Sequence, residues 1–445
     1  MTPARRLAVA GLLVPALVAT VGLTRSPGAL TPAAAAPPRA AASSAASPAG
    51  GPAATGSTTT TASPATVLHD RVIAALRGST AGVMGVRVDV GGLGTVVARN
   101  PDLGLPPAST QKLFTGATVL DRLGAGTRLR TRFRLDGQRF GHRLVGRLVI
   151  VGGGDPTLTS GKLRAVARAV RRWGVTSVTG GVLVDAGRYD GAHAAEGWKA
   201  NWVPEESGAL SAIVVDGNDW STTAARYPAL AAGYLMRRLL RSAGVAVGGD
   251  VTVGAVTALP AGSTAWSYTT VSPPLGTVVA AMLKDSVNLY AEQLLKELAA
   301  RTSGIGTTAA GIDVIRAQGD ALGVPITTPL ADGSGLSALD QHTVATEVAW
   351  LEAVRDSALG TDFRRSLPLA CVDGTLEQRM CGTAAAGRAW AKTGTLDGVR
   401  CLAGYTWTRS GRRVTFAFLL ARASYGPSAT AAIDRAVVAL ASSTA

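Results

Sequence analysis

Lysine is scarce in this chain of 445 residues. Six lysines stand against 38 arginines, and there are only four asparagines, four histidines and three cysteines. Where charge alone is needed the sequence uses arginine. Each lysine is therefore a candidate for the one thing arginine cannot do, which is to lose its proton near neutral pH. The histidines never form His-Glu-x-x-His, and Cys371, Cys381 and Cys401 show no Cys-x-x-Cys spacing, so no metal signature is present. An exported protein can pair two of the three cysteines and leave one free. Gly-x-Ser-x-Gly is also missing, which excludes the usual α/β-hydrolase elbow. "SGKL" at 160–163 lacks the Ser/Thr and the preceding glycine of a phosphate loop.

Acids are in short supply as well. The formal net charge is +15 and aromatic content is 5%, in a chain long enough to bury a large core. Such a charge favours anionic surroundings. After Arg5-Arg6, the uncharged stretch Leu7–Leu23 has the layout of an export signal. It is also just long enough to remain as a membrane anchor. Residues 26–64, rich in Ala, Pro, Ser and Thr, have almost nothing to bury and read as a disordered linker. Export removes nucleic acid as the expected partner of the basic chain.

Folded sequence begins near Thr66 with a helical period, followed by the alternating "GVMGVRVDVG" and its hairpin partner "GLGTVVARN". A helix is expected to start at Ser109 and stop at Gly124. From 127 the texture changes. Arg128, Arg130, Arg132 and Arg134 alternate with Leu129, Phe133 and Leu135, a half-exposed strand. Its arginine row reads as a solvated face that resists edge-to-edge pairing, with contact to an anionic polymer as the alternative. "GGVLVDAG", "SAIVVDGN" and "GGDVTVGAV" read as further strands, with one helix near Leu230–Ala243. "GGGDPTL" reads as a tight strand-to-helix turn. Residues 127–264 are thus expected to form a β-rich insert. Helices resume after it, then two long strands joined by a Ser-Gly turn within 391–423, and a last helix over Ser428–Ser442.

Only Lys112 has a serine three residues before it, Ser109; only Lys392 is followed by Thr-Gly; only Asn288 has a serine two places earlier, Ser286. One copy each of Ser-x-x-Lys, Ser-x-Asn and Lys-Thr-Gly, in that order, is a specific signal. Ser109 at a helix start exposes its hydroxyl, with Lys112 one turn on and on the same face. Burial and a second cation, Lys392, would depress the Lys112 pKa and make it a general base. Ser286 can relay a proton to a leaving amine, and Asn288 can bind a substrate amide. The N–H groups of Ser109 and Thr395 can form an oxyanion hole.

This trio resembles the penicillin-recognising serine enzymes. In detail the chain is similar to the class C low-molecular-mass penicillin-binding proteins, the D-alanyl-D-alanine carboxypeptidase/endopeptidases. The resemblance runs through 66–440 and includes "PASTQKLFT", "GGGDPTL", "SPPLGTVVAAMLKDSVNLYAEQLLK", "DGSGLS", "SLPLACVDGTL" and "AKTGTLDGV". The gap of 177 residues from Ser109 to Ser286 also fits, because this branch inserts domains between the first two motifs. Two departures stand out: Val287 where aspartate is usual, and Cys371 where a small residue is usual.

The resemblance implies an α+β fold of the serine β-lactamase/transpeptidase type, an antiparallel five-stranded sheet flanked by helices. The chain is thus expected to divide into an export signal or anchor (1–25), a linker (26–64), a catalytic domain (66–126 and 265–445) and the insert (127–264). The resemblance also implies an exported enzyme in which Ser109 attacks the penultimate D-alanine of peptidoglycan stem peptides, with Thr393, Gly394 and Thr395 beside Lys392 at the terminal carboxylate. β-Lactams would be covalent inhibitors, and neither a metal nor an organic cofactor is required. The rival readings are a β-lactamase or esterase on the same scaffold, and a wall-binding or β-lactam-sensing module that hardly turns over.

Overall fold

The computed structural model describes residues 63–218, 226–256, 263, 265–423 and 428–445. The expected export segment and nearly all of the expected linker lie outside these residues. Ser63 caps α1 (Pro64–Leu76), its Oγ accepting from the Thr66 N–H at 3.1 Å, and Pro64 supplies a preset φ at the first helical position. β1 (Ala81–Val90) and β2 (Gly94–Arg99) form the expected antiparallel hairpin. A 3₁₀ turn, Ala108–Thr110, leads into α2 (Gln111–Leu123). Every residue of α2 from Gln111 to Leu120 is buried, so the helix runs through the interior rather than along a surface.

The insert follows as β3 (Arg130–Phe140), β4 (Arg143–Val151), α3 (Ser160–Arg172), β5 (Ser177–Val178), β6 (Val182–Asp185), α4 (Trp202–Glu205), α5 (Pro228–Ser242), β7 (Ala246–Val247) and β8 (Val251–Val253). β9 (Ser267–Val271) then pairs antiparallel with β3. The helical lobe comprises α6 (Leu275–Lys284), α7 (Asn288–Ser303), α8 (Thr308–Ala321), α9 (Val344–Asp356) and α10 (Gly360–Arg365). The chain closes with β10 (Trp390–Leu396), β11 (Val399–Trp407), β12 (Arg413–Ala423) and α11 (Ser428–Ser442). Among the described residues no helix is long and apolar enough to cross a membrane.

One sheet has five antiparallel strands in the order β10-β11-β12-β1-β2. Both of its faces are covered. Phe416, Phe418 and Leu420 point to a core shared with α1 and α11, while Ala417, Leu419 and Ala421 point to the core around α2, α6, α7 and α9. That is why β12 is apolar without alternation from Phe416 to Ala421. β10 lies at one edge of this sheet, against the 3₁₀ turn that carries Ser109.

The second sheet has seven strands, and four of its pairings (β4–β5, β4–β6, β5–β7, β6–β8) are parallel. Parallel strands need crossovers, and α3 and α5 supply them. The insert, expected to be β-rich with a helix near Leu230–Ala243, is a mixed α/β unit. α3 follows the strand-to-helix turn expected at "GGGDPTL", and its Leu163, Val166, Ala167 and Val170 keep helical spacing and are buried. The sheet also takes in β9, beyond the expected boundary at 264. "SAIVVDGN" (211–218) is not a strand. It is an irregular run buried from Ser211 to Val215, ending in a 3₁₀ turn, with Ile213 and Val215 in the insert core and Val214 against Leu289. A short apolar run buried on all sides carries no period to distinguish it. The two long strands expected in 391–423 are three, because Asp397-Gly398 makes a hairpin between β10 and β11.

Candidate active site

Ser109 lies in the 3₁₀ turn just before α2, and the preceding Ala108 has φ 47°, a left-handed value that is uncommon for a residue with a side chain. Two neighbours shape this turn. Gly335 packs so closely that a Cβ would come within 1.8 Å of the Ala108 carbonyl oxygen, and its own φ is 76°. Gly394 on β10 leaves room for the Pro107 carbonyl oxygen, 2.7 Å from where its Cβ would stand. Both glycines are required by close backbone approach.

One turn along, Lys112 Nζ lies 2.8 Å from Ser109 Oγ, 2.7 Å from Asn288 Oδ1 and 2.7 Å from the Ser334 carbonyl oxygen. These three acceptors match the three protons of an ammonium group. Lys112 is completely buried. Burial pushes its pKa down to about 8, against the opposing pull of Asp332, Glu292 and Asp340. An amine with that pKa can take a proton from a serine hydroxyl at physiological pH.

Lys392, also fully buried, donates to Ser286 Oγ at 2.9 Å and to the Thr393 carbonyl oxygen at 2.9 Å. Burial first, and the Lys112 charge second, hold its pKa well below the ordinary lysine value. The expectation that Lys392 depresses Lys112 is thereby refined: burial is the main cause for each lysine. Ser286 sits in the break between α6 and α7 with φ 58°, and Asn288 opens α7. Val287 between them packs against Leu210, Val214 and Leu289, an apolar patch shared with the insert. The environment of that position explains why it carries valine.

The structure thus brings Ser109, Lys112, Ser286, Asn288 and Lys392 together. Thr393 and Gly394 are buried on β10 and Thr395 is exposed beyond them. Thr393 Oγ1 is 2.8 Å from Thr375 Oγ1 in the loop that follows Cys371. Among the described residues β10 has a strand partner, β11, on one side only, and from Lys392 to Leu396 no strand pairs with its other edge. Cys371 is bonded to Cys381, and Cys401 is a buried free thiol whose pKa burial raises.

Several contributors carried no individual sequence signal. The Asp332 carboxylate accepts from the N–H groups of Ser334, Gly335 and Ser337 at 3.0, 2.6 and 2.7 Å, which folds "DGSGLS" into the loop that presents the Ser334 carbonyl to Lys112. From the insert, Trp198 Nε1 donates to Asp332 Oδ2 at 2.8 Å, and the Glu206 carbonyl oxygen accepts from Asn288 Nδ2 at 2.9 Å. Glu292 accepts from the Gly333 N–H at 3.0 Å, and burial with nearby Asp332 raises its pKa to about 8. Its place one turn after Asn288 on the same helix face was the only clue to it.

Residues 68–227 and 215–444 match the D-Ala-D-Ala carboxypeptidase 3 (S13) family. A D-alanyl-D-alanine carboxypeptidase of Actinomadura sp. (strain R39) is 30% identical, the alignment covering 82% of each chain. The chain belongs to the S13 family. A carboxypeptidase of Mycobacterium tuberculosis is also 30% identical, over 76% of this chain and 75% of that protein. The fold is similar to that of penicillin binding protein 4 from Haemophilus influenzae, with TM-score 0.73 and 20% identity over 83% of this chain and 98% of that one. A predatory peptidoglycan endopeptidase from Bdellovibrio bacteriovorus shares the fold at TM-score 0.52 and 18% identity, over 81% and 91% of the two chains. This S13 chain is a serine-type D-Ala-D-Ala carboxypeptidase.

Proposed function

We propose that Ser109 is the nucleophile of this carboxypeptidase and Lys112 its general base. The observation that carries the assignment is the buried Lys112 amine, with a pKa near 8, 2.8 Å from Ser109 Oγ. Ser109 Oγ attacks the carbonyl carbon of the penultimate D-alanine of a stem peptide, and its proton passes to Lys112 Nζ. The N–H groups of Ser109 and Thr395 receive the oxyanion. Collapse breaks the peptide bond, the proton held by Lys112 passes by way of Ser286 to the leaving D-alanine, and an ester on Ser109 remains. Water then hydrolyses the ester and restores the serine hydroxyl. Asn288 holds the acyl-side amide, and Lys392 with Thr393, Gly394 and Thr395 holds the terminal carboxylate. Burial disfavours the charged form of Lys392, and an arriving carboxylate would favour it.

The same steps open a D-alanyl cross-link, so endopeptidase action needs no further group. β-Lactams would acylate Ser109 as covalent inhibitors, and the enzyme would work outside the cytoplasmic membrane, where its polymer lies. The basic flank and apolar run at Arg5–Leu23 support export. Release of D-alanine from a soluble stem pentapeptide, together with labelling by a fluorescent penicillin, tests the proposal. Labelling without D-alanine release would point to a sensing module, and rapid β-lactam turnover without D-alanine release to a β-lactamase.

A further inference from the structure

The arginine row of β3 is not an exposed edge. β3 pairs with β4 from Arg132 to Phe140 and with β9 from Arg130 to Arg134, so Arg132 and Arg134 lie between two partner strands. Protection against edge-to-edge pairing therefore does not explain them. Instead Arg128, Arg130 and Arg132 line one side of a cleft of about 930 Å³, whose other residues include Arg188, Glu297 and Arg301. Glu297 lies nine residues after Asn288 on α7, which places the cleft about 13.5 Å along that helix from the candidate active site.

The charges of this cleft are unevenly matched. Glu297 is buried and holds both Arg188, through contacts of 2.7 and 2.8 Å, and Arg301, at 2.7 Å. The Asp185 carboxylate is taken up by backbone, accepting from the N–H groups of Gly187 at 2.8 Å and Val256 at 2.9 Å. Arg128 is steadied by donating to the Ser272 carbonyl oxygen at 2.9 Å but meets no acid among the described residues. The Arg130 and Arg132 side chains are exposed and have no hydrogen bond or ion pair among the described residues. Like charges gathered in a concave wall repel one another, and the low-dielectric walls focus their field on whatever enters. Guanidinium groups suit the paired oxygens of phosphate or carboxylate. On a strand they recur about every 6.8 Å, a spacing for successive charges along an extended chain.

We propose that this cleft binds an extended polyanion, meeting its successive phosphate or carboxylate groups with Arg128, Arg130 and Arg132. It would hold the enzyme against an anionic polymer while the candidate active site works on a peptide elsewhere. Carboxypeptidase chemistry does not require it.

The test uses the full chain and two fluorescently tagged probes, inorganic polyphosphate and polygalacturonate, at about 0.15 M salt. The Arg130→Gln/Arg132→Gln variant is compared with Arg164→Gln/Arg168→Gln, which removes two exposed arginines of α3 and the same net charge. We expect the cleft variant alone to lose about tenfold or more in affinity, with D-alanine release from a soluble pentapeptide unchanged. Binding should also weaken as salt rises. Loss on polyphosphate alone assigns a phosphate polymer, loss on polygalacturonate alone a carboxylate polymer, and loss on both a site that reads oxyanions generally. Binding of neither probe, equal loss in both variants, or full affinity in the cleft variant overturns the proposal.

Discussion

Asn288 and Glu206 join the insert to the candidate active site: Asn288 Nδ2 donates to the Glu206 carbonyl oxygen at 2.9 Å while its Oδ1 accepts from Lys112 at 2.7 Å. One side-chain amide thus orients the proposed base and carries a contact from the insert. Trp198 makes a second such link to Asp332. The insert is structurally part of the site although none of the five candidate catalytic residues lies in it.

Asn288→Asp tests this arrangement and the Lys112 assignment together. With a pKa of about 8, only about a tenth of Lys112 is neutral at pH 7, so wild-type acylation should climb from pH 6 to 8 and level off above. A carboxylate in contact with the amine favours the ammonium form and raises the Lys112 pKa, by about one to three units. We predict that the acylation profile of the variant moves to higher pH and is lower at neutrality. A profile that falls in height without moving would remove Lys112 as the group being titrated.

Ser109→Ala should abolish covalent labelling by a fluorescent penicillin. Deleting one hydroxyl that is part-exposed should leave the thermal transition nearly unchanged, since changes of this kind stay within about 1 kcal/mol. Strong labelling of the alanine variant would move the nucleophile elsewhere.

Lys112→Arg and Lys392→Arg should fail differently. Arginine keeps the charge but cannot act as a base at accessible pH. At 112 the base is lost, and acylation should fall by several powers of ten. At 392 part of the carboxylate attraction survives, so the loss should be smaller and appear more in KM. Second-order acylation rates with one β-lactam across pH decide the matter; equal rates in the two variants would exclude Lys112 as the base.

Removing the Cys371–Cys381 bond by Cys371→Ala/Cys381→Ala should act at a distance from the chemistry. The bond closes a loop of sequence separation 10, and within it Thr375 meets Thr393 at 2.8 Å. Chain entropy sets the expected stability loss at about 3 kcal/mol. With Thr393 less firmly placed, KM for the peptide should rise more than kcat falls. An unchanged KM in a destabilised variant would show that the loop does not position β10.

Much of the site was legible because its side chains are rare in this chain. Six lysines and four asparagines made Ser109-Lys112, Ser286-Asn288 and Lys392-Thr393-Gly394 stand out. Local periodicity likewise located α11 and the β1–β2 hairpin, because spacing along one element sets the face that is buried. The sequence by itself therefore determined which groups are available for chemistry and which local elements carry them.

Only the tertiary structure decided what those groups meet. The third acceptor of Lys112 is a backbone carbonyl, Ser334, and a carbonyl has no residue-type signature. The cysteine pairing, the contacts of Trp198 and Glu206, and the parallel order of the insert strands all join segments distant in sequence. The arginine alternation of β3 was plain to read, yet only partners on both sides make it a cleft wall and not an edge. The pKa values of Lys112 and Lys392 follow the same rule. Desolvation depends on how completely other segments close over an amine, a property of the assembled packing and not of the lysine or its neighbours in sequence.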